Sequence, residues 1–146
     1  MLLVEAYSPL AKPLMLVLAE EGFVVHLARD DEQASTLAHA ARYVAFLVDW
    51  NVPRNGGLAL VRRWRQEGLA VPVLLLDSSA SNERLVQARQ AGADDCLAVP
   101  FCIEDLLARL RAWAGSGTAT SPATGRTVRR EPVEDVTRGS SPSPRR

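Results

Sequence analysis

Two aspartates stand where buried strands should end. Asp49 closes the apolar run at residues 45–48, and Asp77 closes a second run at residues 71–76. Continuous apolar runs of this length are typical of strands covered on both faces of a parallel sheet. Open α/β sheets bind their ligands at the carboxyl ends of such strands. The sequence therefore predicts a carboxylate site at this edge, with a merely solvated strand end as the alternative reading of Asp49.

A third carboxylate follows the first apolar run. Glu5 comes directly after residues 2–4, and the chain up to about residue 115 then alternates five apolar runs with five segments of helical periodicity. This alternation predicts an α/β fold with a five-stranded parallel sheet, helices on both faces and the flavodoxin-like order 2-1-3-4-5. The first and third strands are neighbours in that order. Glu5 and Asp49 should therefore meet at one rim, with Asp77 nearby.

Local signals place the helices. Ser8 before Pro9 predicts a helix start with Ser8 as the capping residue, whereas Pro13 predicts a kink or a late start. Asp30 and Asp31 predict the start of a second helix. A third predicted helix, at residues 58–67, carries three arginines that are expected to form a solvated face: Arg62, Arg63 and Arg65.

Composition separates a domain from a tail. Residues 1–115 hold 11 basic and 14 acidic groups, whereas residues 116–146 hold 6 and 3. The second segment is rich in Ser, Thr, Pro, Gly and Arg, which predicts a disordered, solubilising tail. The zero net charge gives no reason to expect nucleic-acid or membrane binding. We expect a cytoplasmic protein with reduced cysteines, because the chain begins without the pattern of a signal peptide and has no run of transmembrane length.

The segments described so far resemble the receiver domain of bacterial two-component response regulators. The likeness covers about residues 1–114 and rests on LLVEAYSP, YVAFLVDWNVPRNGG, VPVLLLDSS and AGADDCLAVPFCIEDLLARLRAW, the last most like receivers of the winged-helix subfamily. The resemblance implies that Asp49 is the nucleophile that accepts a phosphoryl group from a histidine kinase. It also implies Mg²⁺ as the cofactor that neutralises the transferred charge, with Glu5 and Asp49 as its remaining candidate ligands.

Four positions around Asp49 depart from the family pattern. Ala6 stands where the resemblance implies the second residue of an acidic pair, and Asp77 stands where Thr or Ser would bond a phosphoryl oxygen. Val99 replaces the lysine that would pair with the phosphoryl group, and Cys96 replaces the switch aromatic. An anion about 4 Å from a phosphoryl oxygen costs on the order of 4 kcal/mol at an intermediate dielectric. The altered site therefore predicts negligible phosphorylation of Asp49 and no resident Mg²⁺.

Two arrangements of the three carboxylates stay open at this point. Glu5, Asp49 and Asp77 could form a new cluster that binds a divalent ion. Alternatively, Asp77 faces solvent and Glu5 is a remnant, since crowded carboxylates without a cation repel one another.

The last two helices and the strand between them keep charges of the dimer face of winged-helix regulators. The resemblance implies pairs between subunits that join Arg84 to Asp105, Asp95 to Arg109 and Asp94 to Arg111. A two-fold interface uses one patch twice, so complementary charges within that patch favour it. Ordinary solvated helix charges are the alternative.

The sequence thus predicts an atypical receiver domain that acts in two-component signalling as a phosphorylation-independent protein-interaction module. Its expected partners are proteins, such as a histidine kinase or another receiver, or a second copy. One alternative is a phosphorylatable single-domain response regulator that accepts phosphate on Asp49. Another is a pseudo-receiver that binds a small ligand or a metal at the old site. Enzymatic turnover of a separate substrate is not expected.

Overall fold

The apolar runs pair as a single parallel sheet. In the computed structural model, which describes residues 1–79 and 81–116, the strands are Leu2–Val4 (β1), His26–Ala28 (β2), Phe46–Asp49 (β3), Val73–Asp77 (β4) and Asp95–Ala98 (β5). The helices between and after them are Ser8–Glu20 (α1), Asp31–Ala40 (α2), Gly56–Gln66 (α3), Asn82–Ala91 (α4) and Ile103–Ser116 (α5). The strand order is β2-β1-β3-β4-β5, and all pairs are parallel. The predicted fold class and strand order are confirmed.

Alternation along the strands sends side chains to two cores. On one face Phe46 and Val48 of β3 pack with buried residues of α2, α3 and α4, among them Trp64. On the other face Leu47 packs with the apolar sides of α1 and α5, including Leu106. Because the side chains of a strand alternate with a period of two, a run that is apolar throughout needs a cover on both faces.

The helix starts match the local signals with two corrections. Asp30 caps α2 by accepting the Gln33 N–H at 2.8 Å, as predicted. Helix α1 includes Ser8, and its cap position is Tyr7, so Ser8 is not the cap. Pro13 lies inside α1 and does not delay its start, because the helix gains its stability from packing rather than from one missing donor.

Close packing of α3 on the sheet fixes the loop that follows Asp49. A Cβ added to Gly57 would lie 2.6 Å from the Asp49 carbonyl oxygen and 3.0 Å from a methyl group of Leu75. Only glycine allows this approach. The Gly57 N–H also donates to the Trp50 carbonyl oxygen at 2.8 Å, so the start of α3 holds the chain just beyond Asp49.

The predicted tail lies almost entirely outside the described residues. Only Ser116 of that segment is described, and it closes α5 rather than opening a tail. Among the described helices, none is long and apolar enough to cross a membrane.

Candidate functional site

Three carboxylates end at the carboxyl rim of the sheet, as the strand order requires. Glu5 follows β1, and Asp49 and Asp77 close β3 and β4. Glu5 and Asp77 are each 1% exposed, whereas Asp49 is half-buried. The three side chains do not form one cluster, however, because the fold divides them into two pairings.

Glu5 and Asp49 form the first pairing. Burial, with further contributions from the charge of Asp49 and a hydrogen bond to it, raises the pKa of Glu5 to about 7, although the Tyr7 N–H acts in the opposite direction. That N–H donates to Glu5 Oε2 at 3.1 Å. Glu5 Oε1 is buried, and among the described residues no N–H group or hydroxyl donates a hydrogen bond to it. A proton held between the two carboxyl groups satisfies both observations and removes the repulsion between two anions.

Asp77 forms the second pairing, with Arg84 of α4. Arg84 Nη2 donates to Asp77 Oδ1 at 2.7 Å and Nε donates to Oδ2 at 2.9 Å, a bidentate contact. The Ser79 N–H donates to Asp77 Oδ1 at 3.0 Å. The hydrogen bond from Arg84 holds the pKa of Asp77 below its usual value against the effect of burial. Asp77 therefore neither faces solvent nor joins a metal cluster, and both arrangements considered for it from the sequence are wrong.

Arg84 also covers the residue next to Asp49. Its guanidinium carbon lies 3.9 Å from the centroid of the Trp50 ring, within the range of a cation–π contact. Trp50 is 9% exposed, and the Arg84 side chain is 30% exposed. The two residues close the rim between β3 and β4 with a stacked pair that is bound to Asp77.

The remaining altered positions are Ala6, Val99 and Cys96. Ala6 is exposed, and its methyl side chain offers no oxygen to a cation. Val99 is half-buried and packs with the core that α1 and α5 cover. Cys96 is half-buried, and burial together with the charges of Asp77 and Asp95 raises the pKa of its thiol to about 11. The thiol is therefore neutral at physiological pH.

The carboxylates present do not match a resident divalent metal. Of the three carboxylates at the rim, only Glu5 and Asp49 are neighbours, and the raised pKa of Glu5 favours its protonated form. The side chain of Asp77 is taken by Arg84. No group of three or more His, Cys, Asp or Glu residues in the described part of the chain could hold a metal ion.

Five of the six charges of the predicted dimer face have side-chain partners within the chain, and Asp105 contributes its carbonyl oxygen. Arg109 Nε donates to Asp95 Oδ2 at 2.8 Å, and Arg109 Nη1 donates to the Asp105 carbonyl oxygen at 3.1 Å. Asp94 pairs with Arg65, as described below, and Arg111 pairs with Glu21 of the segment after α1. Arg84, expected opposite Asp105 of another subunit, is bound to Asp77. Pairing between subunits stays a prediction.

Arg65 was missed from the sequence. It was expected on a solvated face, but it donates to the carbonyl oxygens of Gly92 at 2.9 Å and of Leu69 and Val71 at 2.8 Å each. Its Nη2 donates to Asp94 Oδ2 at 3.1 Å. Arg65 therefore joins three segments at the amino edge of the sheet.

Arg63 pairs with Ser35 and Glu67, and its side chain is 45% exposed, so it lies on the solvated face that was predicted. Helical periodicity places these arginines on a face but does not show which loops that face meets.

Asp31 was not expected to support the loop after Asp49. It is 5% exposed, and its Oδ2 accepts from Asn55 Nδ2 at 3.1 Å. Arg54, in the same loop, has a φ of 82°. Its Nε lies 4.0 Å from Asp31 Oδ1. A left-handed conformation is uncommon for a residue other than glycine. Arg54 Nη1 also lies 3.4 Å from Glu32 Oε1, so both acidic residues at the start of α2 contact this loop.

Comparison with known families decides the classification. The sequence pattern of the response regulator receiver domain matches residues 1–111. The chain belongs to this family. The family predicted from the sequence motifs is confirmed.

Curated relatives of the receiver include two bacterial regulators. The transcriptional regulatory protein PmrA of Pectobacterium parmentieri is 37% identical over 112 residues, which are 77% of this chain and 50% of the relative. The response regulator RppA of Synechocystis is 39% identical over 113 residues, which are 76% of this chain and 48% of the relative. The chain thus spans about half the length of the curated relatives it matches.

A solved structure extends the comparison. The receiver domain of a sensor histidine kinase from Pseudomonas aeruginosa, with a magnesium ion coordinated in its active-site cleft, is 33% identical, with a TM-score of 0.72. The match covers 79% of this chain and 96% of that one.

Proposed function

We propose that this receiver domain transmits signals through protein contacts without accepting a phosphoryl group on Asp49. The observation that carries the proposal is the Asp77–Arg84–Trp50 arrangement. Asp77, at the position where the family resemblance implies a small hydroxyl residue, is a buried anion held bidentately by Arg84. By the resemblance, a phosphoryl group on Asp49 would therefore face a charge-paired carboxylate where relatives present a hydroxyl donor.

Two further features support the proposal. No amine extends from Val99, so the cation that would draw electron density from a phosphoryl oxygen is absent at this position. Glu5 carries a raised pKa beside Asp49, so near neutral pH the pair holds fewer than two negative charges. We include in the proposal that Mg²⁺ is not a resident cofactor, because a carboxylate that binds a proton near neutral pH is a poor ligand for a hard cation.

The test is exposure of the full chain to a small phosphodonor, acetyl phosphate, with Mg²⁺, followed by intact-mass measurement. We expect no mass increase of one phosphoryl group. Asp49→Asn is the matched control for modification elsewhere. A stable modification that disappears in Asp49→Asn contradicts the proposal and favours a phosphorylatable regulator.

A second candidate function has one observation in its favour. Arg84 is a cation next to the residue that follows Asp49, so it could leave Asp77 and contact a phosphoryl oxygen. In that case Asp77→Asn, which frees Arg84, would raise phosphorylation, and Arg84→Met would abolish it. Under the proposal above, both variants stay unmodified.

A further inference from the structure

Helix α1 presents a largely apolar stripe to solvent. Among residues 9–20 of this helix, the exposed side chains are those of Pro9, Lys12, Pro13, Leu16, Ala19 and Glu20. At 3.6 residues per turn these positions fall within about one third of the helix circumference. Leu16, near the middle of the stripe, is 67% exposed. The outward face of a surface helix is ordinarily polar, so this face is unusual for a helix without a cover.

The apolar surface continues beyond the helix. A groove of about 250 Å³ runs between α1 and the connection from β5 to α5, with Pro9 and Pro13 on one wall and Val99 and Phe101 on the other. Val99 stands at the position where the resemblance implies a lysine. Val99 places an apolar side chain on this wall of the groove.

The two charges of the stripe are arranged symmetrically about Leu16. Lys12 lies four residues before it and Glu20 four residues after it. Among residues 1–79 and 81–116, neither takes part in the ion pairs that the structure shows. The order along the helix is therefore positive, apolar, negative. An antiparallel second copy presents the reverse order, which is the self-complementarity that a two-fold interface requires.

The spacing also fits a common packing geometry. Residues four apart form one ridge on the surface of a helix, so Lys12, Leu16 and Glu20 share a ridge. When two helices cross at about −50°, the ridges of both helices run alongside each other. In an antiparallel pair crossing at Leu16, Lys12 of each copy then lies next to Glu20 of the other.

We propose that α1 is a self-association surface, on which a second copy of this chain packs antiparallel about a two-fold axis at Leu16. The complementary order of charge selects a second copy over an unrelated apolar partner. The association is weak, because the stripe is small and the two ion pairs are exposed. It is independent of phosphorylation and uses a face other than the one formed by α4, β5 and α5.

Cross-linking tests the axis directly. In a Cys102→Ser background, Leu16→Cys places two thiols across the two-fold axis, whereas Val24→Cys is a matched control because Val24 is equally exposed at 67%. With oxidised glutathione, we expect the Leu16→Cys chain to form covalent dimer at least about tenfold faster than the control, since its thiols meet within the complex. Equal rates for the two variants overturn the proposal.

Charge exchange tests the direction of packing. By sedimentation equilibrium of the full chain, Lys12→Glu and Glu20→Lys should each weaken association by about tenfold, because each reverses two ion pairs. The double variant should return to within about threefold of the wild type. Single variants that associate like the wild type, or a double variant no better than the singles, overturn the antiparallel arrangement.

Discussion

The two ends of β4 are each closed by an arginine and an aspartate, but the two closures differ in kind. At the amino end, Asp94 Oδ2 accepts the Val73 N–H at 2.8 Å and Arg65 Nη2 at 3.1 Å. At the carboxyl end, Asp77 is itself the last residue of the strand, and Arg84 binds both of its oxygens. The amino-end closure forms hydrogen bonds with backbone groups, whereas the carboxyl-end closure neutralises a buried side chain.

The two arginines differ in which groups would lose a partner if the arginine were replaced. Three of the four donated bonds of Arg65 go to backbone carbonyls, of Gly92, Leu69 and Val71. Arg84 instead contacts one carboxylate and one aromatic ring. The amino-end closure therefore determines whether two loops stay in place, and the carboxyl-end closure determines the charge and the shape of the site beside Asp49.

The largest effect is expected from Arg65→Met. It leaves three loop carbonyls and Asp94 without a charged donor, which we expect to lower the free energy of unfolding by about 2–4 kcal/mol. Urea unfolding measures the change. Arg62→Met is the matched control on the same helix, because Arg62 is exposed, and it should shift stability by less than about 0.5 kcal/mol. Similar losses in both variants would show that the amino-end closure contributes little.

A smaller loss is expected from Arg84→Met, about 2 kcal/mol at pH 7, because it leaves the carboxylate of Asp77 buried with only the Ser79 N–H. Asp77→Asn should cost less, since the Arg84 side chain is 30% exposed and regains water. The reverse order of the two losses would contradict this account of the carboxyl end.

The pH dependence of the Asp77–Arg84 pair follows from the direction of its pKa shift. The folded pKa of Asp77 is lowered, so the pair stabilises the domain above the ordinary aspartate pKa of about 4. This contribution is lost as the pH falls through the folded pKa. The deficit of Arg84→Met should therefore shrink in acid, where Asp77 is protonated in both proteins. A deficit that is constant from pH 7 to pH 3 would show that packing on Trp50, not charge, is what Arg84 supplies.

The contribution of Glu5 to stability changes with pH in the opposite direction to that of Asp77, at the same end of the sheet. Its pKa is raised from 4.5 to about 7 in the folded domain, so stability is highest below pH 4.5 for this group and falls as the pH rises to about 7. Glu5→Gln should remove that fall and stabilise the domain at pH 8 by about 1–3 kcal/mol. Thermal melts at pH 5 and pH 8 measure the difference. A variant that is equally destabilised at both pH values would show that Glu5 is ionised beside Asp49.

The strand order and the rim followed from the sequence because they depend on chain-wide periodicity. The apolar runs before Asp49 and Asp77 require burial on both faces, and parallel strands deliver their carboxyl ends to one edge. The adjacency of Glu5 and Asp49 was predictable in the same way. These features depend on where residues lie along elements, and a sequence carries that information directly.

The pairings within the rim did not follow, because they depend on which side chain reaches which. Arg84 lies on the first turn of α4, after the Ser81 cap, and that turn begins at the same edge as Asp77. This placement was a usable signal for an intrachain pair, but Arg84 was assigned to an interface from the family resemblance. Arg65 gave no comparable signal, because its partners are backbone carbonyls brought together only by the folded loops.

The smallest predicted effect is on association through the face formed by α4, β5 and α5. Two charges of this face, Asp94 and Arg84, belong to the two closures of β4. Asp94 and Arg84 are each bound within the chain, so we expect them to add little to a contact between subunits. The Asp95–Arg109 pair also lies within the chain, but its side chains are 27% and 33% exposed and could exchange partners across a two-fold contact. Any association through this face should therefore be weak and should weaken further with salt, which screens exposed charges over about 8–10 Å.

Charge reversal separates this face from simple solvated charges. Arg109→Glu should weaken association about three- to tenfold in sedimentation runs, because it sets two anions side by side. Adding Asp95→Arg should restore most of it, since opposite charges return both within the chain and across a two-fold contact. Asp94→Asn should instead lower stability and leave association unchanged, because its carboxylate holds Arg65 and the Val73 N–H. If Asp94→Asn dissociates the protein without destabilising it, then Asp94 belongs to the interface and the amino-end closure is incidental.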